Sequence, residues 1–418
     1  LGFWSATALV VGNMIGSGVF LLPASLAPYG QASLYGWALS ASGALLLAGV
    51  FAYLSRRHPV AGGPYAYARI AFGDLTGFIM AWSYWISVWC AVAAIAVAFA
   101  GSVAAIFPAL ATPANEAACA LIVLWLGTAF NIAGVRTAGI AQLVITILKL
   151  LPLFVIIAVG ASKLDAQSFT PFNPSGQSWL SVTTVTAALA LWALQGMECA
   201  TIPAEHVDDA EKTIPRATLL GVALAAAVTI AACTVVLGLV PLDRLAMSTA
   251  PFADAASRLW GQGAGMAMAV AMAVSCLGAL NGWILVQGQV PYAAACDGLF
   301  PAYFARVDAN GTPRIGLVVG SVLATLLVLA NFAGSLVAVF TASILLATAA
   351  ALLPYAFSAA AMLHLESRLD RPSGWRLGVA ALAFVYGLWA LVGTGAEALI
   401  WGAGLLLAGM PFHFLRRR

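Results

Sequence analysis

Two short segments of this chain put polar chemistry where a hydrophobic run should be unbroken. The first is Asn13-Met14-Ile15-Gly16-Ser17-Gly18, inside the apolar stretch ATALVVGNMIGSGVFLLPASLAP that covers residues 6–28. Glycines weaken a helix and leave backbone groups unpaired. In hydrocarbon an unpaired backbone group is tolerated only where it lines a cavity in the protein. N–H groups freed at the start of a second half-helix, near Val19, suit an anion such as a carboxylate. Carbonyls freed at Met14 and Ile15 suit an ammonium. An amino acid carries both charges on one carbon. The competing reading is that the glycines only let helices pack closely, as small residues do in membranes.

The second segment is ALWALQGMECATIPAEH, where Gln195, Gly196 and Glu198 fall at mid-depth of another apolar stretch, just after Trp192. A packing bend is the alternative there. Glu198 is the only acid well inside such a stretch, and Lys149, in QLVITILKLLPLF, is the only base. Charges at that depth are costly and usually functional. Glu198 could exchange a proton. Lys149 could act as a fixed cation, or lose its proton when the site turns dry. Against this stand a structural ion pair between the two and a lysine that snorkels to the interface, for which Lys149 lies too near the middle of its stretch. Trp192 and Trp283 (in LGALNGWILVQGQ) are also mid-stretch, so interfacial anchoring fits them poorly. A ring at a helix break can close over a substrate and attract a cation through its face. Trp85 and Trp89 lie in the third stretch.

The elements that must position these residues are membrane helices. The chain of 418 residues is 63% hydrophobic and 8% charged, with a mean hydropathy of +0.99, which excludes an ordinary soluble domain. A net charge of +3 is too small to imply nucleic acid. With about 20 apolar residues needed per crossing, twelve spans are expected, at about 5–27, 32–55, 76–106, 115–134, 138–161, 181–202, 217–240, 263–294, 314–331, 334–364, 376–393 and 396–414. No cleavable leader and no long polar domain is legible. Fourteen of the eighteen Lys and Arg fall in alternating loops and the tail: Arg56, Arg57, Arg69, Arg136, Lys212, Arg216, Arg306, Arg314, Arg368, Arg371, Arg376 and Arg416 to Arg418. Lys163, Arg244 and Arg258 fall on the other side. The positive-inside rule then puts both termini in the cytoplasm and the chain in the plasma (inner) membrane as a multi-pass protein.

The six cysteines lie in or at the ends of apolar spans, without metal-ligand spacing, and read as small buried hydrophobes. His58, His206, His364 and His413 all sit at span ends. Neither a metal nor another cofactor is expected, and no nucleophile–base set or carboxylate pair at one depth points to an enzyme. Breaks near the middle of spans 1 and 6 are the sequence pointer to an inverted-repeat transporter with a midplane site. The repeats would be about 5–161 and about 181–364, with extra helices at about 376–414, in one transporter domain over 1–418.

GNMIGSGVFLLPASLA, GGPYAYAR, LWALQGMECA and CDGLFPAYFARVDANGTPRIG together resemble the amino acid–polyamine–organocation (APC) superfamily of transporters, and within it the arginine/agmatine antiporter family. The resemblance runs over nearly the whole chain. It implies an all-α LeuT-type fold of inverted five-helix repeats with broken helices 1 and 6, plus two extra helices. It implies that Ser17 and Gly18, within the Gly16–Gly18 break, hold a substrate carboxylate. Carbonyls of Met14, Trp192 and Gln195 would hold the α-amino group. Trp192 would stack as a gate, Trp283 would wall the pocket, and Glu198 would match an acid proposed to sense protons. A homodimer is also implied, though no interface is legible in the residues.

Two departures from the antiporter pattern matter. Val92, counted along from Tyr84-Trp85, stands where the antiporter has an asparagine, and Ile344 and Leu345 stand where it has serines. An apolar wall of Val92, Ile95 and Leu345 would leave a guanidinium's donors unpaired and favour neutral side chains, while Glu198 favours a cationic one. Lys149 replaces a small apolar residue and resembles proton-coupled symporters and L-type exchangers, in which the ammonium stands in for sodium. The expected function is alternating-access transport of a small L-amino acid or related amine, by exchange, with proton symport of neutral amino acids as the alternative. An amino-acid sensor is the remoter reading, and it would be expected to carry a signalling domain.

Overall fold

Apolar runs of this length can satisfy their backbone within one segment only by coiling into helices, and the computed structural model is helical in every regular element of its described residues. These are 2–16, 18–60, 62–133, 139–164, 166–201, 207–308, 311–330 and 335–415. Ser17, Arg136, His206 and Arg416 to Arg418 lie outside them.

α1 (Phe3–Met14) and α2 (Gly18–Leu26) are the halves of the first interrupted stretch, and α3 (Ser33–Arg57) follows. A short α4 (Pro64–Phe72) leads into the long α5 (Asp74–Ile106), then α6 (Pro113–Ile132) and α7 (Gly139–Gly160). α8 (Trp179–Trp192) ends at the second interruption, beyond which Met197–Ala200 makes one tight helical turn. α9 (Ala210–Leu239) is followed by two short helices, α10 (Leu242–Leu245) and α11 (Pro251–Trp260). The chain continues with α12 (Gln262–Cys296), α13 (Arg314–Ala330), α14 (Leu336–Ser367), α15 (Gly374–Gly393) and α16 (Gly395–Leu415). Among the described residues nine helical segments are long and apolar enough to cross a membrane, with Phe3–Arg57 counted as one.

α5 is the axis of the bundle. It packs most extensively against α12 and α14, and its buried run of Ala91, Ala93, Ala94, Ala96, Ala98 and Ala100 lets their backbones come close, the usual basis of helix association in lipid. Hydroxyls then bridge helices: Ser83 donates to the carbonyl of Ala350 at 2.7 Å, and Ser40 to that of Ala187 at 2.6 Å. α3 crosses α8 so closely that a Cβ on Gly36 would stand 2.6 Å from the backbone nitrogen of Ala187. α1 rests on α9 and α7, α8 rests on α3, α15 and α14, and α1 also touches the Met197–Ala200 turn. The two interruptions therefore meet inside the bundle.

All six cysteines are free. Cys90, Cys199, Cys233 and Cys276 are buried, as small hydrophobes are expected to be. Cys119 is only half-buried and Cys296 is exposed, because Cys296 is the last residue of α12, where the helix leaves the packed bundle.

Candidate functional site

The first interruption forms because the chain leaves helical geometry at Ile15 (φ −83°, ψ 73°), whose N–H still closes α1 on the carbonyl of Val11 at 2.8 Å. The helix resumes at Gly18. At the second, Ala193 to Gln195 continue as tight turns, with the N–H of Gln195 on the carbonyl of Trp192 at 3.3 Å. Gly196 then takes φ +100°, a conformation that side chains other than glycine's rarely adopt. A Cβ there would lie 3.3 Å from both the carbonyl carbon and the Cβ of Asn13, and 3.4 Å from the nitrogen of Met14. Gly196 is thus the point where the second break is pressed against the first.

Beside that contact lies a cavity of about 20 Å³, lined by Asn13, Met14, Gly16, Ile95, Trp192, Ala193, Gln195 and Trp283. This holds one or two waters and is too small for an amino acid in this conformation. Six of the residues expected from sequence line it: Met14, Gly16, Ile95, Trp192, Gln195 and Trp283. Ile15 and Gly196 adjoin it without lining it, Gly18 opens α2, and Ser17 lies outside the described residues. Val92 is fully buried in α5, and Leu345 is a half-buried residue packed against the core. Neither is among the lining residues. Of the apolar wall expected from Val92, Ile95 and Leu345, Ile95 lines this small cavity.

Four lining side chains carry hydrogen-bonding groups: Asn13, Trp192, Gln195 and Trp283. Gln195 donates from Nε2 to Thr348 Oγ1 of α14 at 2.8 Å. The buried indole nitrogen of Trp192 has no hydrogen-bond partner among the described residues. A buried donor without an acceptor costs free energy and is a natural place for an acceptor on a bound molecule. Asn13 and Ala193 line the cavity although sequence reasoning had not assigned them to it. Asn13 was readable as the polar residue entering the break; Ala193 carries no signal.

Glu198 is fully buried, and its carboxyl group is held from both sides. Tyr84 of α5 donates to Oε1 at 2.6 Å, and Tyr355 of α14 donates to Oε2 at 2.6 Å. The carbonyl of Glu198 accepts from both the N–H (2.8 Å) and the hydroxyl (2.6 Å) of Thr201. The second break is thereby pinned to α5, the bundle axis, and to α14, which packs on it. One helical turn beyond Tyr355, the Ser358 hydroxyl donates to the carbonyl of Pro354 at 2.8 Å and lies 3.4 Å from the carbonyl of Pro64 in α4. α4 is itself tied to the end of α12: Tyr65 donates to Asp297 Oδ2 at 3.2 Å, and Arg69 Nη1 lies 3.5 Å from Asp297 Oδ1. Burial and the neighbouring Asp297 carboxylate push the Tyr65 phenol well up from its usual range, so it stays a donor.

Lys149 is buried, and its Nζ donates to the carbonyl of Gly12 at 3.2 Å. It does not pair with Glu198. Cys276 of α12 is the titratable group beside it. The ammonium therefore ties α7 to the last turn of α1, two residues before the break, with α12 alongside.

Comparison with known proteins gives the family of the chain. The family model described as amino acid permease matches residues 1–405. A putrescine transporter PotE of Haemophilus influenzae is 30% identical over 417 residues, covering 99% of this chain and 96% of the relative. A cadaverine/lysine antiporter of Escherichia coli (strain K12) is 33% identical over 375 residues, 88% of this chain and 84% of the relative. A putative arginine/ornithine antiporter of Bacillus subtilis is 32% identical over 451 residues, 98% of this chain and 95% of the relative.

Proposed function

The chain belongs to the amino acid permease family, and from that premise we propose that it exchanges an amino acid for an amine across the membrane by alternating access. The observation that carries the reading is the meeting of two helix interruptions around one cavity walled by Trp192, Trp283 and Asn13. Similarity to relatives named for putrescine, cadaverine/lysine and arginine/ornithine supports a substrate pair in which both members carry a primary amine on a flexible chain. In this proposal the half-helix start at Ser17 and Gly18 takes the carboxylate, carbonyls at Met14, Ile15, Trp192 and Gln195 take the α-amino group, and Trp192 covers the substrate. Glu198 answers the cationic charge when its tyrosine partners release it. Val92 and Leu345 contribute indirectly, by packing behind the lining.

Twelve crossings complete the architecture we propose. Phe3–Arg57 counts as two crossings, and α7 and α13 are added to the segments that already meet the length and apolarity requirement. Residues of about 5–161 and 181–364 form inverted repeats in one domain, 1–418, and the arginine bias puts the face bearing Arg56, Arg69 and Arg376 in the cytoplasm.

The test uses purified protein in liposomes loaded with putrescine, cadaverine, agmatine or no substrate, with uptake of labelled ornithine, lysine, arginine and leucine measured outside. Uptake that depends on an internal amine supports exchange. Equal uptake into loaded and unloaded vesicles refutes it. A second reading, proton-coupled symport of neutral amino acids, is favoured by one observation, the Lys149 ammonium on the carbonyl of Gly12. It predicts leucine uptake into unloaded vesicles driven by an inward proton gradient.

A further inference from the structure

A cleft of about 430 Å³ opens where the end of α3, the start of α9 and the start of α15 converge, lined by Ala52, Tyr53, Arg56, Arg57, Glu211, Pro215 and Arg376. It is separate from the cavity at the helix breaks and shares no residue with it. Its lining carries three guanidiniums against one carboxylate. The guanidinium carbons of Arg57 and Arg376 each lie 5.6 Å from the centroid of the Tyr53 ring, so one aromatic face system gathers two like charges. Arg376 is further fixed by Glu366 at 3.4 Å. Glu366 is fully buried and also accepts from the Tyr53 hydroxyl and from the N–H of Ser373. Arg56 and Arg57 have no carboxylate partner among the described residues. Cations held together around a hollow, with a buried acid spent on positioning one of them, make a receptor for an anion.

The surface leading away from the cleft says which kind of anion. α3 packs on α9, α8 and α15, and the strip left exposed or half-exposed runs Ala38, Ser42, Leu45, Gly49 to Arg56 on one helical face. Its small members make a furrow. α9 and α15 expose Leu219, Leu224, Leu382 and Val385, large apolar residues that suit a hydrocarbon environment. From Leu45 to Arg56 the helix rises about 16 Å, close to the depth of one leaflet of a bilayer whose apolar core is about 30 Å thick. We propose that this cleft binds the phosphodiester headgroup of an anionic membrane phospholipid, with an acyl chain lying in the α3 furrow. Basic pockets between transmembrane helices are suited to such headgroups.

The experiment uses the full chain purified in detergent, with bound lipid counted by native mass spectrometry during titration. The probes are dioleoyl phosphatidylglycerol, dioleoyl phosphatidylcholine and inorganic phosphate. The wild type is compared with Arg56→Gln/Arg57→Gln and with Arg258→Gln, an exposed arginine of α11 that does not line the cleft. Phosphatidylglycerol should bind the wild type and Arg258→Gln alike, ahead of phosphatidylcholine. The double variant, altered at exposed positions that leave the packing intact, should bind it roughly 30-fold more weakly, from the attraction of two surface arginines. Equal binding of the two lipids by the wild type, or wild-type preference in the double variant, overturns the proposal. Displacement of phosphatidylglycerol by inorganic phosphate at equal concentration also overturns it, because the acyl furrow would then contribute nothing.

Discussion

Adding one methyl group at Gly196 should cripple the site without touching any group that does chemistry. Gly196 sits at φ +100°, where an L-residue is disfavoured by about 1–2 kcal/mol. The new Cβ would also press on the carbonyl carbon of Asn13 at 3.3 Å and the nitrogen of Met14 at 3.4 Å. These are backbone atoms, so no rotamer change relieves the contact, and overpacking of this kind adds about 1 kcal/mol or more. The arrangement in which the two breaks touch is then disfavoured by about 2–3 kcal/mol, a factor of roughly 30 to 150. Gly16→Ala and Gly282→Ala calibrate the effect. A Cβ at Gly16 meets the Cβ of Ala279 at 3.3 Å, and one at Gly282 meets only Asn13 Oδ1 at 3.7 Å, an ordinary contact. Exchange in liposomes should therefore fall steeply in Gly196→Ala, partly in Gly16→Ala and hardly at all in Gly282→Ala, at equal amounts of reconstituted protein. Wild-type exchange in Gly196→Ala, or an equal loss in all three, would refute the claim that break-to-break contact is part of the transport cycle.

Other expectations follow from the same geometry. Tyr84→Phe and Tyr355→Phe should each lower stability in detergent by about 1–3 kcal/mol by removing one of the two hydroxyls on a buried carboxyl group; in a Glu198→Gln background the two losses should shrink, and thermal melts that stay fully additive would contradict the shared clamp. Trp192→Phe keeps a ring but removes the unpartnered N–H, so it should weaken apparent substrate affinity several-fold while Trp192→Ala abolishes uptake; identical uptake in Trp192→Phe and wild type would remove the indole donor from the site. Lys149→Ala deletes the tie to the carbonyl of Gly12 and should slow exchange, with any pH-gradient drive lost at the same time; stimulation of the wild type by sodium would show that the lysine does not occupy a cation position.

The parts of the site that were legible in sequence were those that violate the rules of hydrocarbon. Lys149 and Glu198 are improbable in a bilayer span unless something polar surrounds them, Gly16 and Gly196 mark where the helical backbone can break, and each lies at or beside the two breaks. The tyrosine clamp was not legible as such. Tyr84 and Tyr355 lie 114 and 157 residues from Glu198, and nothing local marks the pairing. A signal did exist: a buried tyrosine hydroxyl needs a partner, and a deep acid is the obvious one. Val92 and Leu345 illustrate the opposite difficulty. They were positioned by counting along spans, and counting gives depth but not which residues a small cavity touches; Ile95 lines it, while Val92, about one turn earlier on nearly the same face of α5, does not. The helical fold itself followed from apolar length alone, since lipid leaves the backbone little choice.

Among the described residues Cys296 is the one exposed thiol, and it immediately precedes Asp297, the residue by which α12 holds α4 through Tyr65 and Arg69. The molecule thus carries its own attachment point for a fluorescent maleimide, with no cysteine needing to be introduced. The bonds at Asp297 are partly exposed and individually weak, so they are the natural ones to yield when that end of the bundle opens. A dye at Cys296 would sit at the junction of α12 and α4, and a change in its brightness during exchange, timed in a single vesicle, would show that this junction moves in the transport cycle.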